Sequence, residues 1–287
     1  PAGEPRAMDA LQHRRSPVLR DYQARTVAGL LRGIALHRGA TFTVLYPRQA
    51  GKNEVAAHLV ATLLRMHARL GGNIVICAPT LRPQGRISIE RVRRVLDDTA
   101  HLVPVAGAAR WSANAVRLGR ASATFLSASP SAHVAGHTAS IALIADEAQD
   151  IEVDWFERQF RPMAASTGAP TVLIGTPWDG RSLLDRAVAA NRRRGEHLPG
   201  IASAVPLHYE VSWREVAASR PAYGAYVRQQ RAWLGANHPL FRTQYELRTV
   251  EDARRLLSPA QLARIEGRHR RLVAPLPGER YVAGLDL

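Results

Sequence analysis

Apolar residues recur along this chain with two different periods. In VLRDYQARTVAGLLRGIAL (residues 18–36) they are spaced as on one face of an amphipathic helix. Helices are also expected over EVAAHLVATLLRMHARL (54–70), ending at Gly71 and Gly72, and around ISIERVRRVLDD (87–98). Between them stand short runs that are apolar almost throughout: TFTVLY (41–46), NIVICA (73–78), IALIAD (141–146) and TVLIGT (171–176). Such runs suit central strands of a parallel sheet covered on both faces. AVRLGRASATFLSAS (115–129) reads as a hairpin or strand pair, and VPLHYEVSW (205–213) as one more strand. Strands alternating with helices predict an α/β protein with a mainly parallel central sheet flanked by helices.

The texture changes along the chain. Residues 1–17 show no periodicity and read as a mobile arm, and residues 18–213 as the α/β core. Residues 214–273 are helical in pattern and rich in arginine, which predicts a smaller helical subdomain. Residues 274–287 hold a Pro/Gly linker and YVAGLDL, which reads as the opening strand of a further domain. The charge run NRRRGEH (191–197) reads as a solvated loop, with a DNA-contacting loop as the alternative.

Composition narrows the function classes. The 287 residues carry a formal charge of +15, which implies an acidic partner, nucleic acid first. A single cysteine excludes an intramolecular disulfide, and Cys77, inside NIVICA, reads as a buried, inert thiol. No apolar run reaches the roughly 18 residues a membrane span needs, and the first residues lack a signal core. A soluble cytoplasmic protein is expected. His133 and His137 are four apart, but the Gly and Ser around them predict a loop rather than a metal pair.

Lys52 is the only lysine among the 39 lysine and arginine residues. It stands in PRQAGKN, between the strand TFTVLY and the helix EVAAHLV, where backbone N–H groups can cradle phosphate. Gly51 permits close backbone approach, and Lys52 would project onto the β- and γ-phosphates of a nucleotide. A compact ammonium fits inside such a loop and a planar guanidinium does not fit in the same way. The usual P-loop pattern has Gly or Ala where Tyr46 stands and Ser or Thr where Asn53 stands. Asn53 can still offer a carbonyl oxygen to Mg²⁺. The strand IALIAD ends in Asp146 and Glu147. Asp146 could hold hydrated Mg²⁺, and Glu147 could orient and deprotonate an attacking water. A plain acidic cap is the alternative for such a pair standing alone. Thr176 ends TVLIGT, where it could sense the γ-phosphate, or simply begin a turn; Trp178 follows it.

With these residues the chain resembles the ATPase portion of the large terminase subunit of tailed bacteriophages. The matching pieces are PRQAGKNE, CAPT (77–80), IALIADEAQD, LIGTPWDG and FRTQYEL (241–247), with DYQ (21–23) upstream as an adenine-recognition motif. The resemblance runs from about residue 18 to the end. It implies a P-loop NTPase fold of the ASCE/RecA-like type, with ATP and Mg²⁺ as cofactors. It places Arg48, Gln49, Ala50, Gly51, Lys52 and Asn53 in the ATP-binding loop, Tyr22 on the adenine face and Gln23 at its edge. Lys52 and Glu147 would be catalytic, Asp146 and Asn53 would hold Mg²⁺, and Thr176 would couple hydrolysis to movement. The implied activity is pumping double-stranded DNA into a procapsid, in the host cell cytoplasm. The implied partners are DNA, the portal protein, the small terminase subunit and further copies of the chain in a ring, typically of five. GERYVAGLDL would open an RNase H-like nuclease domain, with Asp286 its first metal ligand; one aspartate alone would have no activity, so a truncated chain is expected. Ala135 stands where many members carry a trans-acting arginine, which leaves Arg82, Arg86 and Arg110 as substitutes. Two other readings differ in mechanism. A superfamily 2-like helicase would unwind strands, and a DNA-binding scaffold with a degenerate nucleotide site would not turn over ATP.

Overall fold

The computed structural model describes residues 19–101, 108–132, 134, 136–197 and 205–250. They include eight strands: β1 (Thr41–Leu45), β2 (Gly72–Ala78), β3 (Arg110–Trp111), β4 (Ala115–Leu118), β5 (Ala121–Ser127), β6 (Ala142–Asp146), β7 (Thr171–Gly175) and β8 (His208–Glu210). The longer helices are α1 (Asp21–Leu36), α2 (Lys52–His67), α3 (Arg86–Asp98), α4 (Leu183–His197), α5 (Trp213–Ser219), α6 (Pro221–Leu234) and α7 (Pro239–Gln244). Short helical turns fill Val153–Trp155, Phe156–Phe160 and Arg161–Ala165.

The strands form one sheet in the order β3-β4-β5-β2-β6-β7-β1-β8. From β5 to β8 all pairs are parallel; β3 and β4 add an antiparallel edge. The central strands are apolar throughout because alternate side chains enter two different cores. Phe42, Val44, Ile74, Ile76, Ile144, Val172 and Ile174 pack on one face with residues of α1, α2 and α3. Val75, Cys77, Leu143, Ala145 and Leu173 pack on the other, against Phe156, Phe160, Met163, Leu184 and Val188. The result is a three-layer sandwich, the expected mostly parallel α/β architecture. Val216, Tyr223, Val227, Phe241 and Tyr245, from α5 to just past α7, join the first core.

Three local expectations are corrected. NRRRGEH is the end of helix α4, not a loop. Arginine is a good helix former, and Leu183, Leu184, Val188 and Asn191 are buried along this helix. The buried Asn191 amide donates to the carbonyls of Thr41 (3.0 Å) and Leu207 (2.9 Å) and to Thr43 Oγ1 (3.1 Å), tying the helix to β1. The last strand is only His208–Glu210, a short sheet edge. Finally, the expected strand pair over 115–129 has a third, unexpected strand beside it, β3, at the far edge of the sheet.

Position is set by register. Leu45 pairs with Gly175 and Asp146 with Ile174, so the loop after β1, the acidic end of β6 and Thr176 emerge at one edge of the sheet. In open parallel sheets, ligands bind beyond the carboxyl ends of the strands.

Candidate active site

A cavity of about 590 Å³ opens at that edge. Its lining includes Arg48, Gln49, Gly51, Lys52, Asn53, Glu147, Gln149, Asp150, Thr176 and Trp178. The loop after β1 bends through left-handed backbone at Gln49 (φ 60°) and Gly51 (φ 91°). A Cβ on Gly51 would lie 2.3 Å from Gln23 Nε2, so glycine is required there by both conformation and space. Lys52 then begins α2. The first amides of a helix have no carbonyl within it to bond, and they turn a partial positive charge toward the cavity.

The loop is braced from beneath. Tyr22 and Gln23 are 2% and 1% exposed. The Tyr22 hydroxyl donates to the Ala50 carbonyl (3.0 Å), and Gln23 Nε2 donates to the Gly51 carbonyl (3.2 Å). Gln23 Oε1 accepts the backbone N–H of Arg20 at 3.0 Å. Neither side chain lines the cavity, nor does Ala50. Tyr22 therefore presents no free ring face to a base, and in this geometry the pair supports the loop. Tyr46, where the usual motif has Gly or Ala, points into the core. Its hydroxyl pairs with Thr26 Oγ1 (2.8 Å) and its ring packs 6.0 Å from that of Tyr22. Farther along, the N–H of Arg48 donates to the carbonyl of Gln244 (2.8 Å), and the Tyr223 hydroxyl donates to the carbonyl of Arg48 (2.9 Å). Helices α6 and α7 thus clamp the loop.

At the cavity wall, Lys52 Nζ donates to Glu147 Oε2 at 2.5 Å and lies 3.5 Å from Thr176 Oγ1. Both partners of the ion pair are largely sheltered. Glu147 has left-handed backbone (φ 52°), a conformation costing roughly 1–2 kcal/mol for a residue with a Cβ. Its N–H donates back to Asp146 Oδ1 at 3.0 Å. Asp146 is buried, and its carboxylate also accepts from Ser88 Oγ at 3.4 Å. Burial, and then the neighbouring Glu147 charge, push the Asp146 carboxyl up to about 6. Asp146 and Asn53 line one small cleft beside the main cavity.

The stretch around Glu147 hides one further residue, Gln149. Its Nε2 donates to Glu147 Oε2 (2.9 Å) and Asp150 Oδ2 (3.0 Å), while its Oε1 accepts the N–H of Thr176 at 3.1 Å. One amide therefore connects the ends of β6 and β7. Its only trace in the sequence is a polar residue two places after Glu147.

Among the described residues no group of three or more His, Cys, Asp or Glu side chains is placed to hold a metal. Mg²⁺ keeps several waters and takes one or two protein ligands beside substrate phosphates. Asp146 and Asn53 are the groups that could hold it, and Asp146 lines only the small, mainly apolar cleft and not the large cavity. Arg82, Arg86 and Arg110 do not line the cavity, whereas Arg48 and Arg91 do. Ala135, His133 and Asp286 lie outside the described residues. Among the described residues no helix is long and apolar enough to cross a membrane.

No protein-family model matches the chain, and no curated protein matches it by sequence. Solved structures do. The large terminase ATPase domain of Thermus phage P74-26 is similar with a TM-score of 0.59 at 19% identity, over 81% of this chain and 94% of that one. The HK97 bacteriophage large terminase gives a TM-score of 0.59 at 12% identity, over 81% of this chain and 51% of that one. The large terminase of a thermophilic bacteriophage, in complex with ATP-γ-S, gives 0.57 at 13%, over 80% and 52%. The chain thus spans about half the length of these last two proteins. What these likenesses establish, together with the strand order and the loop after β1, is that this chain has the P-loop NTPase fold of large terminase ATPase domains.

Proposed function

We propose that the chain is the ATPase motor of a phage DNA-packaging terminase, hydrolysing ATP to move double-stranded DNA into a procapsid. The observation that carries this reading is the meeting of Lys52, Glu147 and Thr176 at one cavity wall, from three separate elements. A scaffold with a decayed site has no need of a catalytic carboxylate held 2.5 Å from the P-loop lysine. The terminase of the thermophilic bacteriophage has been solved in complex with ADP and with ATP-γ-S, and the same class of ligand suits this cavity.

Each residue then has a task. The amides heading α2 receive phosphate oxygens, with Arg48 and Gln49 at the rim. Lys52 leaves Glu147 for the β- and γ-phosphates, which frees the Glu147 carboxylate to accept a proton from the attacking water. Asp146 and Asn53 would hold Mg²⁺, which would supply neutralisation of charge on the phosphates. Thr176, tied to Glu147 through Gln149, registers the loss of the γ-phosphate, and helices α6 and α7 carry that movement outward. The +15 charge suits a motor that grips phosphate without reading bases. A ring of copies on a portal, a small terminase subunit, and a nuclease domain opening at Asp286 belong to the same proposal and rest on the resemblance. The division of the chain at residues 213 and 273 belongs to it too and rests on the change in sequence pattern there.

ATP hydrolysis with and without double-stranded DNA tests the reading, with Lys52→Ala and Glu147→Ala alongside. Lys52→Ala is expected to lose nucleotide binding. Glu147→Ala is expected to bind nucleotide and lose turnover by a factor of about 10² or more. A wild-type chain that neither binds nor hydrolyses ATP would sink the motor.

A further inference from the structure

Glu54, on the first turn of α2, is 9% exposed and faces α3. Its Oε1 accepts from two guanidiniums, those of Arg91 and of Arg94, the latter at 2.9 Å. One carboxylate oxygen thus holds two cations. Glu90 and Asp98 stand four residues before and after Arg94 on α3, so Arg94 has acidic neighbours of its own, and Glu54 is the carboxylate that Arg91 shares with it. His58, one turn along α2, has a buried Nε2 without a partner, and burial lowers its pKa. Arg65 adds only further positive charge. Glu54 Oε2 and the Nε atoms of both Arg91 and Arg94 are buried without a hydrogen-bond partner as well, so the cluster is incompletely satisfied on both sides. A half-buried guanidinium whose hydrogen bonds are incomplete gains when a further acceptor reaches it.

The two arginines differ in one respect. Arg91 lines the cavity that holds Lys52, Glu147 and Thr176, and Arg94 does not. Arg91 can turn into the cavity while Arg94 stays on Glu54, so no buried carboxylate is stranded by the move. With an anion in the cavity, Arg91 and Arg94 would no longer share one carboxylate oxygen.

We propose that Arg91 is a second cation of the nucleotide site in its own subunit, leaving Glu54 for the terminal phosphate of bound ATP while Arg94 keeps Glu54 neutral. This rests on the ATPase reading. Arg91 is a spare charge parked on a shared partner, and Arg94 is the positioning residue that permits its release.

The test is the ratio of affinities for ATP-γ-S and ADP, measured with Mg²⁺ on the wild-type chain and on Arg91→Met, Arg91→Ala, Arg94→Met and Lys52→Ala. Methionine keeps the apolar stem, so it serves if alanine disturbs folding. Both Arg91 variants are expected to bind ADP as wild type does. Their preference for the triphosphate should fall by about tenfold or more, the loss of one charge-assisted hydrogen bond. Arg94→Met should lower the same ratio by holding Arg91 on Glu54. A purely structural role for Arg91 would shift melting temperature and leave the ratio unchanged, and that result overturns the proposal. The reading on which it rests fails separately, by Lys52→Ala binding both nucleotides as tightly as wild type.

Discussion

Removing the Gln149 side chain is a sharp way to ask whether the ends of β6 and β7 work as one unit. Thr176 is 4% exposed, and its N–H donates to Gln149 Oε1. In Gln149→Ala that amide loses its partner in a place water hardly reaches, at a cost of roughly 1–3 kcal/mol. The bonds to Glu147 and Asp150 matter less for stability, because both carboxylates keep access to water. The expected loss of stability is therefore about 2 kcal/mol, read by urea unfolding. Catalysis should suffer more. Without nucleotide, Glu147 is held by Lys52 and by Gln149. Once Lys52 turns to phosphate, Gln149 is the remaining holder of the carboxylate that must face the water. A misplacement on the order of 1 Å can cost about a hundredfold in rate, so kcat should fall ten- to a hundredfold with KM little changed. Gln149→Glu should do no better, since a carboxylate cannot donate to Glu147 and adds a third negative charge beside Asp150. Wild-type kcat in Gln149→Ala, with the stability loss present, would show that the residue braces the fold and takes no part in turnover.

Three other outcomes follow from the same geometry. Gly175→Ala should reproduce the kcat loss of Gln149→Ala and lose more stability, because a Cβ there would lie 2.1 Å from Gln149 Oε1 and 2.7 Å from Cδ2 of the buried Leu184. The Asp146 carboxyl, raised from 3.8 to about 6, keeps a proton in the folded chain that the unfolded chain releases. Nucleotide-free stability should thus fall by about 3 kcal/mol in all as pH rises from about 3 to 7. Mg²⁺-dependent nucleotide binding should rise as the folded carboxyl ionises, around pH 6, and Asp146→Asn should abolish both trends in pH-resolved denaturation and binding curves. The Cys77 thiol is fully buried and its ionisation is pushed well up by that burial, so an aromatic disulfide reagent should modify it only at the rate of unfolding.

Much of the fold was legible because the signals were local. A strand buried on both faces is apolar at nearly every position, and β1, β2, β6 and β7 stand out for that reason. The loop residues, Asp146, Glu147 and Thr176 follow such strands, so finding the strands located the candidates. Parallel register then brought them together, which no single stretch could show. The motif departures were harder to read. Tyr46 looks like damage to a phosphate loop, yet it closes the core beneath the loop through Thr26 and Tyr22. DYQ looks like a base-binding motif, yet Tyr22 and Gln23 spend their polar groups on the carbonyls of Ala50 and Gly51. Helix α4 was hidden because a run of arginines dominates its last turns, while its buried residues lie mostly upstream.

The basic residues divide along the same line. In a chain whose other cations are all arginine, Lys52 is conspicuous, because a site that needs a compact ammonium resists the replacement. A functional arginine has no such visibility. Nothing in ISIERVRRVLDD separates Arg91 from Arg93 or Arg94, and its partner Glu54 lies 37 residues away in the chain. Only the packing of α3 against α2 gives one carboxylate two guanidiniums. Only the cavity shows which of the two has somewhere to go. In a protein this rich in arginine, charge itself carries little information. The informative quantity is the local balance between cations and the anions that could neutralise them, and that balance exists only after folding.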